Sequence, residues 1–151
     1  MHSQSMEHDA EIEKQIRDAW DASQYPGEDH ICEACDHESN DIKRKFRHKN
    51  WLDCVGTRSP NAFDMVFFQR EAFHYYLPAY LINCLRSGSD EAVKFLSPAE
   101  NSASLQQRLE FDNRMTMLTR EQRRALHDWL MRVRETPRRS DALDHMRFLG
   151  L

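Results

Sequence analysis

Apolar side chains recur every three or four residues along most of this chain, and alternation at every second position is missing, so the pattern favours helices over strands. Ile12, Ile16, Ala19 and Trp20 share one helical face and predict a first helix over 9–23, with Asp9 as its N-cap and Glu11 and Glu13 in the first turn. Tyr25-Pro26-Gly27 supplies turn chemistry after it. Ile42 and Phe46 place a second helix near 39–49, with Lys43, Arg44, Lys45 and Arg47 facing water and Trp51 and Leu52 as a docking pair behind it. Ser59-Pro60 reads as a helix start whose short helix buries Phe63, Val66 and Phe67.

The stretch over 67–81 is the most aromatic of the chain. Pro78 brings no backbone donor, which predicts a break at Leu77 between a turn or two over 70–76 and a helix over 78–86. Leu81, Ile82 and Leu85 give that helix a central face, and Gly88 ends it as a left-handed cap. Ser89 caps a short helix through Leu96; 97–113, with Leu105, Leu109 and Phe111, fits either a weak helix or an ordered loop. Thr119-Arg120-Glu121-Gln122 is a capping box opening a helix to about Glu135 that buries Ala125, Leu126, Trp129, Leu130 and Val133. Pro137 stops it, and 138–151 forms a peripheral tail with Leu143, Met146 and Leu149 on one side. Residues 1–8 are expected to be disordered. The whole is an all-α single domain of about six helices around a proline-broken central segment.

Composition narrows the function more than the fold. At 151 residues, 40% apolar and 30% charged, the chain can bury a core of its own. Four scattered glycines leave no phosphate-cradling loop. Through Tyr75 there are nine basic and fifteen acidic residues, a net −6; the remainder carries twelve and ten, a net +2, nearly all of its basic residues being arginine. The acidic half argues against a general nucleic-acid binder. Met1 to Ala10 is no apolar leader, and the apolar run over 72–85 is too short to span a bilayer. A cytoplasmic protein is expected, with Cys32, Cys35, Cys54 and Cys84 as reduced thiols or metal ligands.

Four pieces in matching order resemble an uncharacterised family of small bacterial proteins. They are a helix ending in Tyr25-Pro26-Gly27, a basic segment leading to Trp51, the segment Glu71-Ala72-Phe73-x-Tyr75-Tyr76-Leu77-Pro78-Ala79-Tyr80-Leu81, and the helix start Leu118-Thr119-x-Glu121-Gln122-Arg123. Together they reach from Ile12 to Val133, and the Leu-Pro-Ala-Tyr-Leu core is the distinctive part. Where the family motif begins with a Ser or Thr cap followed by Pro, this chain has Gln69 and Arg70. The resemblance implies no activity and no catalytic residue.

Three constellations remain as candidate sites. His30-Ile31-Cys32-Glu33-Ala34-Cys35-Asp36-His37 could turn Cys32 and Cys35 toward one zinc ion, with His30, His37 or a more distant Cys54, His48 or His74 completing a tetrahedron; the competing reading is two small thiols packed in a polar loop. Glu71-x-x-His74 has carboxylate–histidine helical spacing, but a di-iron bundle needs a second such motif and two more glutamates, so Glu71 reads better as an N-terminal helix charge. Tyr75, Tyr76 and Tyr80 beside them could line a ligand or partner surface or serve as core and rim. The arginines from Arg120 onward are interrupted by Glu121, Asp128 and Glu135 and fit a solvated, salt-bridged face better than an anion site. No nucleophile elbow, metalloprotease motif or kinase signature is present. The leading expectation is therefore a non-enzymatic protein-binding module, in concrete form an inhibitor or immunity-type protein that neutralises another protein. The alternatives are a zinc-binding enzyme or regulator built on Cys32 and Cys35, and a small-ligand sensor built on the tyrosine-rich motif.

Overall fold

The computed structural model describes residues 2–32, 36–89, 91–95 and 113–133. It is all-α: α1 (His2–Ala19), α2 (His37–Phe46), α3 (Trp51–Cys54), α4 (Ala62–Phe67), α5 (Arg70–Ser87), a helical turn α6 over 113–116 and α7 (Arg120–Arg132), with short 3-10 segments at Glu28–His30 and Glu91–Phe95. The β-type pairing among the described residues is one isolated antiparallel bridge between Cys32 and Phe68. Residues 97–112 and the tail over 138–151 lie outside the described residues.

α5 is the axis of the core. Eleven of its side chains are buried, from Ala72 to Cys84, on all sides of the helix. A helix that is apolar all round must be covered all round; α1, α3 and the 3-10 segment over 91–95 pack against it, and α7 packs against α1. Phe46, Phe68 and Tyr76 form an aromatic knot with ring centroids 4.8–5.2 Å apart. The Tyr76 hydroxyl lies 2.7 Å from the Lys49 carbonyl and 3.1 Å from that of Phe46, satisfying the end of α2. Asn83 donates to the carbonyls of Cys54 and Thr57 and accepts from Gly56 N–H at 2.8 Å, so one side chain of α5 fixes the loop after α3.

The expected break at Leu77 does not occur: α5 runs unbroken through Pro78. In a helix the N–H of residue 78 would bond the carbonyl of His74, and proline has none. The indole Nε1–H of Trp20 donates to that carbonyl instead, at 3.0 Å. The missing donor is thus supplied by a side chain just past the end of α1. Its start is also held from outside. Gln69 makes no side-chain cap bond, but its N–H donates to Ile31 O at 2.8 Å, and Arg114 donates to Phe68 O at 3.0 Å. These tertiary contacts anchor the start of α5 without a side-chain cap.

Other expectations need correction. α1 begins at His2, so residues 2–8, expected to be disordered, form its first two turns, and Asp9 sits inside the helix paired with Arg132 at 2.7 Å. The helix after Ser59-Pro60 starts two residues later, behind an Asn61–Asp64 capping box, and the Ser59-Pro60 bond is cis. Its buried residues are Asp64 and Met65; Phe63 and Val66 are 55% and 62% exposed. Asp64 tolerates burial because Asn61 N–H and Lys45 Nζ donate to its carboxylate at 3.0 and 2.8 Å. Trp51 is buried, but Leu52 faces outward. Gly88 at φ 71 is the left-handed cap expected, Ser89 Oγ caps Glu91 N–H, and the Thr119–Gln122 capping box opens α7.

Candidate functional site

A cleft of about 380 Å³ opens where the turn after α1 meets the first turns of α5. Ser23, Gln24 and Pro26 form one wall and His30 another; Glu71, His74 and Tyr75 come from α5, and Met117 from the loop before α7. Glu71, His74 and Tyr75 meet here because positions i, i+3 and i+4 lie on one helix face. His30 joins them because Ile31 and Cys32 run beside residues 68–69, through the Gln69 bond and the Cys32–Phe68 bridge.

His74 is held in one orientation by Gln122. The Gln122 amide oxygen accepts Thr119 N–H at 2.9 Å and its amide nitrogen donates to Ala19 O at 3.2 Å, which fixes which end is which. The oxygen is therefore what faces His74 Nε2, at 2.8 Å, so that nitrogen must carry the proton. His74 is a neutral Nε2–H tautomer with Nδ1 left as an acceptor. Burial also holds its pKa below the ordinary 6.5, opposed in part by the Gln122 bond. The unfolded chain then takes up a proton at a pH where the folded one does not. This contribution to stability is complete above the ordinary value and is lost as pH falls through the window down to the folded value. The melting temperature of wild type should drop between pH 7.5 and 5.5 by more than that of His74→Gln; equal drops would show that His74 is not the group responsible.

Tyr75 turns its hydroxyl away from the cleft, donating to Asn50 Oδ1 at 3.2 Å and accepting Trp51 N–H at 3.4 Å, so the ring is what it offers. Tyr76 and Tyr80 line no part of the cleft. Tyr76 caps α2, and Tyr80 is buried on the side of α5 that meets the segment over 91–95. Burial raises the pKa of both phenols, which stay protonated.

The Cys/His segment is split. Cys32 is buried, and desolvation pushes its thiol from 9.0 up to about 11. His30 is exposed at the cleft, and His37 is exposed and 3.3 Å from Asp41. Cys35 lies outside the described residues. Cys54 is buried too, its thiol likewise pushed up to about 11 by desolvation. Among the described residues no group of three or more His, Cys, Asp or Glu side chains is placed to hold a metal ion. Of the α7 arginines, Arg123 donates to Leu118 O at 3.2 Å and Arg132 pairs with Asp9. Arg134, Arg138 and Arg139 are outside the described residues.

The sequence pattern missed two features. Gln122 was visible as a capping-box residue, but nothing local announced that it also reaches α5 and the end of α1. The outward face of α4 was hidden because Phe63, Val66 and Phe67 fit a buried stripe as well as an exposed one. Among the described residues no helix is long and apolar enough to cross a membrane.

No curated protein and no solved structure matches this chain. Residues 8–148, by contrast, match one family throughout, and that span takes in Trp20, the whole of α5 and the Thr119–Gln122 box. The chain belongs to the family of unknown function DUF6714.

Proposed function

We propose that this chain is a non-enzymatic protein-binding module whose partner docks on the outer face of α4, as an inhibitor or immunity-type protein would neutralise a target. One observation carries this reading: α4 buries Asp64 beside Met65 while Phe63 and Val66 stand in solvent. Phe63 and Val66 stand one turn apart in solvent, and the half-buried Phe67 ring lies 4.9 Å from that of Phe63. Lys45 donates to the Asp64 carboxylate at 2.8 Å, so turning the apolar face of the helix inward would break that ion pair. Exposed apolar clusters of this kind mark interaction sites, and aromatic side chains dominate their energetics.

The test is capture from the native host with wild type and with Phe63→Ser/Val66→Ser. The variant should melt at or above the wild-type temperature, because exposed apolar side chains contribute little to folding. It should lose its partner, as expected for removal of an aromatic anchor contributing about 2 kcal/mol or more. A wild type that recovers no stoichiometric protein, or a variant that captures as well, would sink the proposal. The cleft supports a second reading, binding of a small ligand, because four of the residues expected at a site, His30, Glu71, His74 and Tyr75, converge on it.

A further inference from the structure

The chemistry of the cleft selects among ligands. Among the described residues lining it the one formal charge is the Glu71 carboxylate, and none is lysine or arginine. Among the described residues Glu71 pairs with Arg70 Nε at 3.3 Å on the surface, a contact of little energetic weight that leaves the carboxylate available. Beside it, the Gln122 clamp leaves His74 with an unprotonated Nδ1, a second acceptor. Tyr75, its hydroxyl spent on Asn50 and Trp51, offers only the ring, and Pro26 and Met117 add apolar surface. Two acceptors are thus set beside an apolar wall to which Tyr75, Pro26 and Met117 contribute, a combination that attracts a cation bearing N–H donors and an apolar body. The size lies at the small end for ligand clefts, fitting a compound of one ring and a short chain.

We infer that this cleft binds a small primary amine in its ammonium form, the charged nitrogen between Glu71 and His74 and the apolar body against Tyr75, Pro26 and Met117. The inference rests on the small-ligand reading of the cleft and is independent of docking on α4.

Phenethylamine, 2-phenylethanol and phenylacetate share a ring and a two-atom side chain but differ in charge. Each is titrated separately into the full chain at neutral pH and followed by backbone amide NMR. Phenethylamine should give saturable shifts centred on residues 71–75 and 24–30, with the alcohol and the acid at least about ten-fold weaker. Glu71→Gln should weaken amine binding about ten-fold while its spectrum overlays wild type away from the cleft, which separates lost binding from lost folding. Phenylacetate binding as tightly as the amine, or Glu71→Gln binding the amine undiminished, overturns the ammonium assignment. If none of the three saturates, the small-ligand reading itself falls, and with it the inference.

Discussion

Trp20→Ala should destabilise the protein by about 3–5 kcal/mol, as removal of a fully buried indole does in a packed core. Trp20→Phe should cost less, about 1–3 kcal/mol, chiefly because it leaves the His74 carbonyl buried with no donor. The two effects are separable through Pro78. In Pro78→Ala the backbone N–H returns and can bond His74 O itself, so the indole donor becomes redundant. In that background Trp20→Phe should cost clearly less than in wild type, and the double-mutant cycle should yield a coupling energy of about 1 kcal/mol. Urea titration of the four proteins measures it. Additive costs would mean that the Trp20–His74 bond is incidental and that α5 tolerates its proline for another reason. The same bond matters at the cleft, since the residue whose carbonyl Trp20 holds is the one whose imidazole Gln122 orients.

What could be read in the sequence was what depends on neighbours a few residues away. The Thr119–Gln122 box, the Gly88 cap and the buried stripe of Ala125, Leu126, Trp129 and Leu130 all use contacts within one or two helical turns, and all are present. Glu71 and His74 were legible as a pair by spacing alone, and the cleft gathers them with Tyr75 but not with Tyr76 or Tyr80. The continuity of α5 was not legible, because the donor that replaces the proline N–H stands 54 positions away. Gln122 could be seen only as a cap, since its bond to Ala19 O spans 103 positions. For α4 the difficulty was different in kind. Periodicity says that Phe63, Val66 and Phe67 share a side, but the inward side is decided by Asp64 finding Lys45 on α2. The Cys/His segment divides for a similar reason. Pairing of Ile31 and Cys32 with residues 68–69 buries Cys32 and leaves His30 at the cleft, an outcome set by a distant segment that no local pattern announces.

Trp129→Ala should match or exceed the loss at Trp20, about 3–5 kcal/mol, with a further penalty if Leu81 O is left underbonded. Its Nε1–H donates to the Leu81 carbonyl at 3.0 Å, so the indole both fills the space between α7 and α5 and bonds the central helix directly. α7 also packs along α1, so the helix that carries Trp129 is joined to both α1 and α5. The consequence reaches the cleft, because Gln122 lies two turns earlier on α7 and depends on the register of that helix to meet His74 and Ala19 O. Trp129→Ala should therefore lower the melting temperature and also relax the His74 tautomer. In imidazole 15N spectra recorded under native conditions, wild type should show a pure Nε2–H form and the variant a mixture with Nδ1–H. Trp129→Phe keeps most of the ring and should recover most of the stability while losing only the bond to Leu81. An unchanged melting temperature in Trp129→Ala would contradict the burial of the indole. A large loss of stability with the tautomer still pure would mean instead that Gln122 is positioned by its own capping box, and that α7 and the cleft are held together by the N-terminal turn alone.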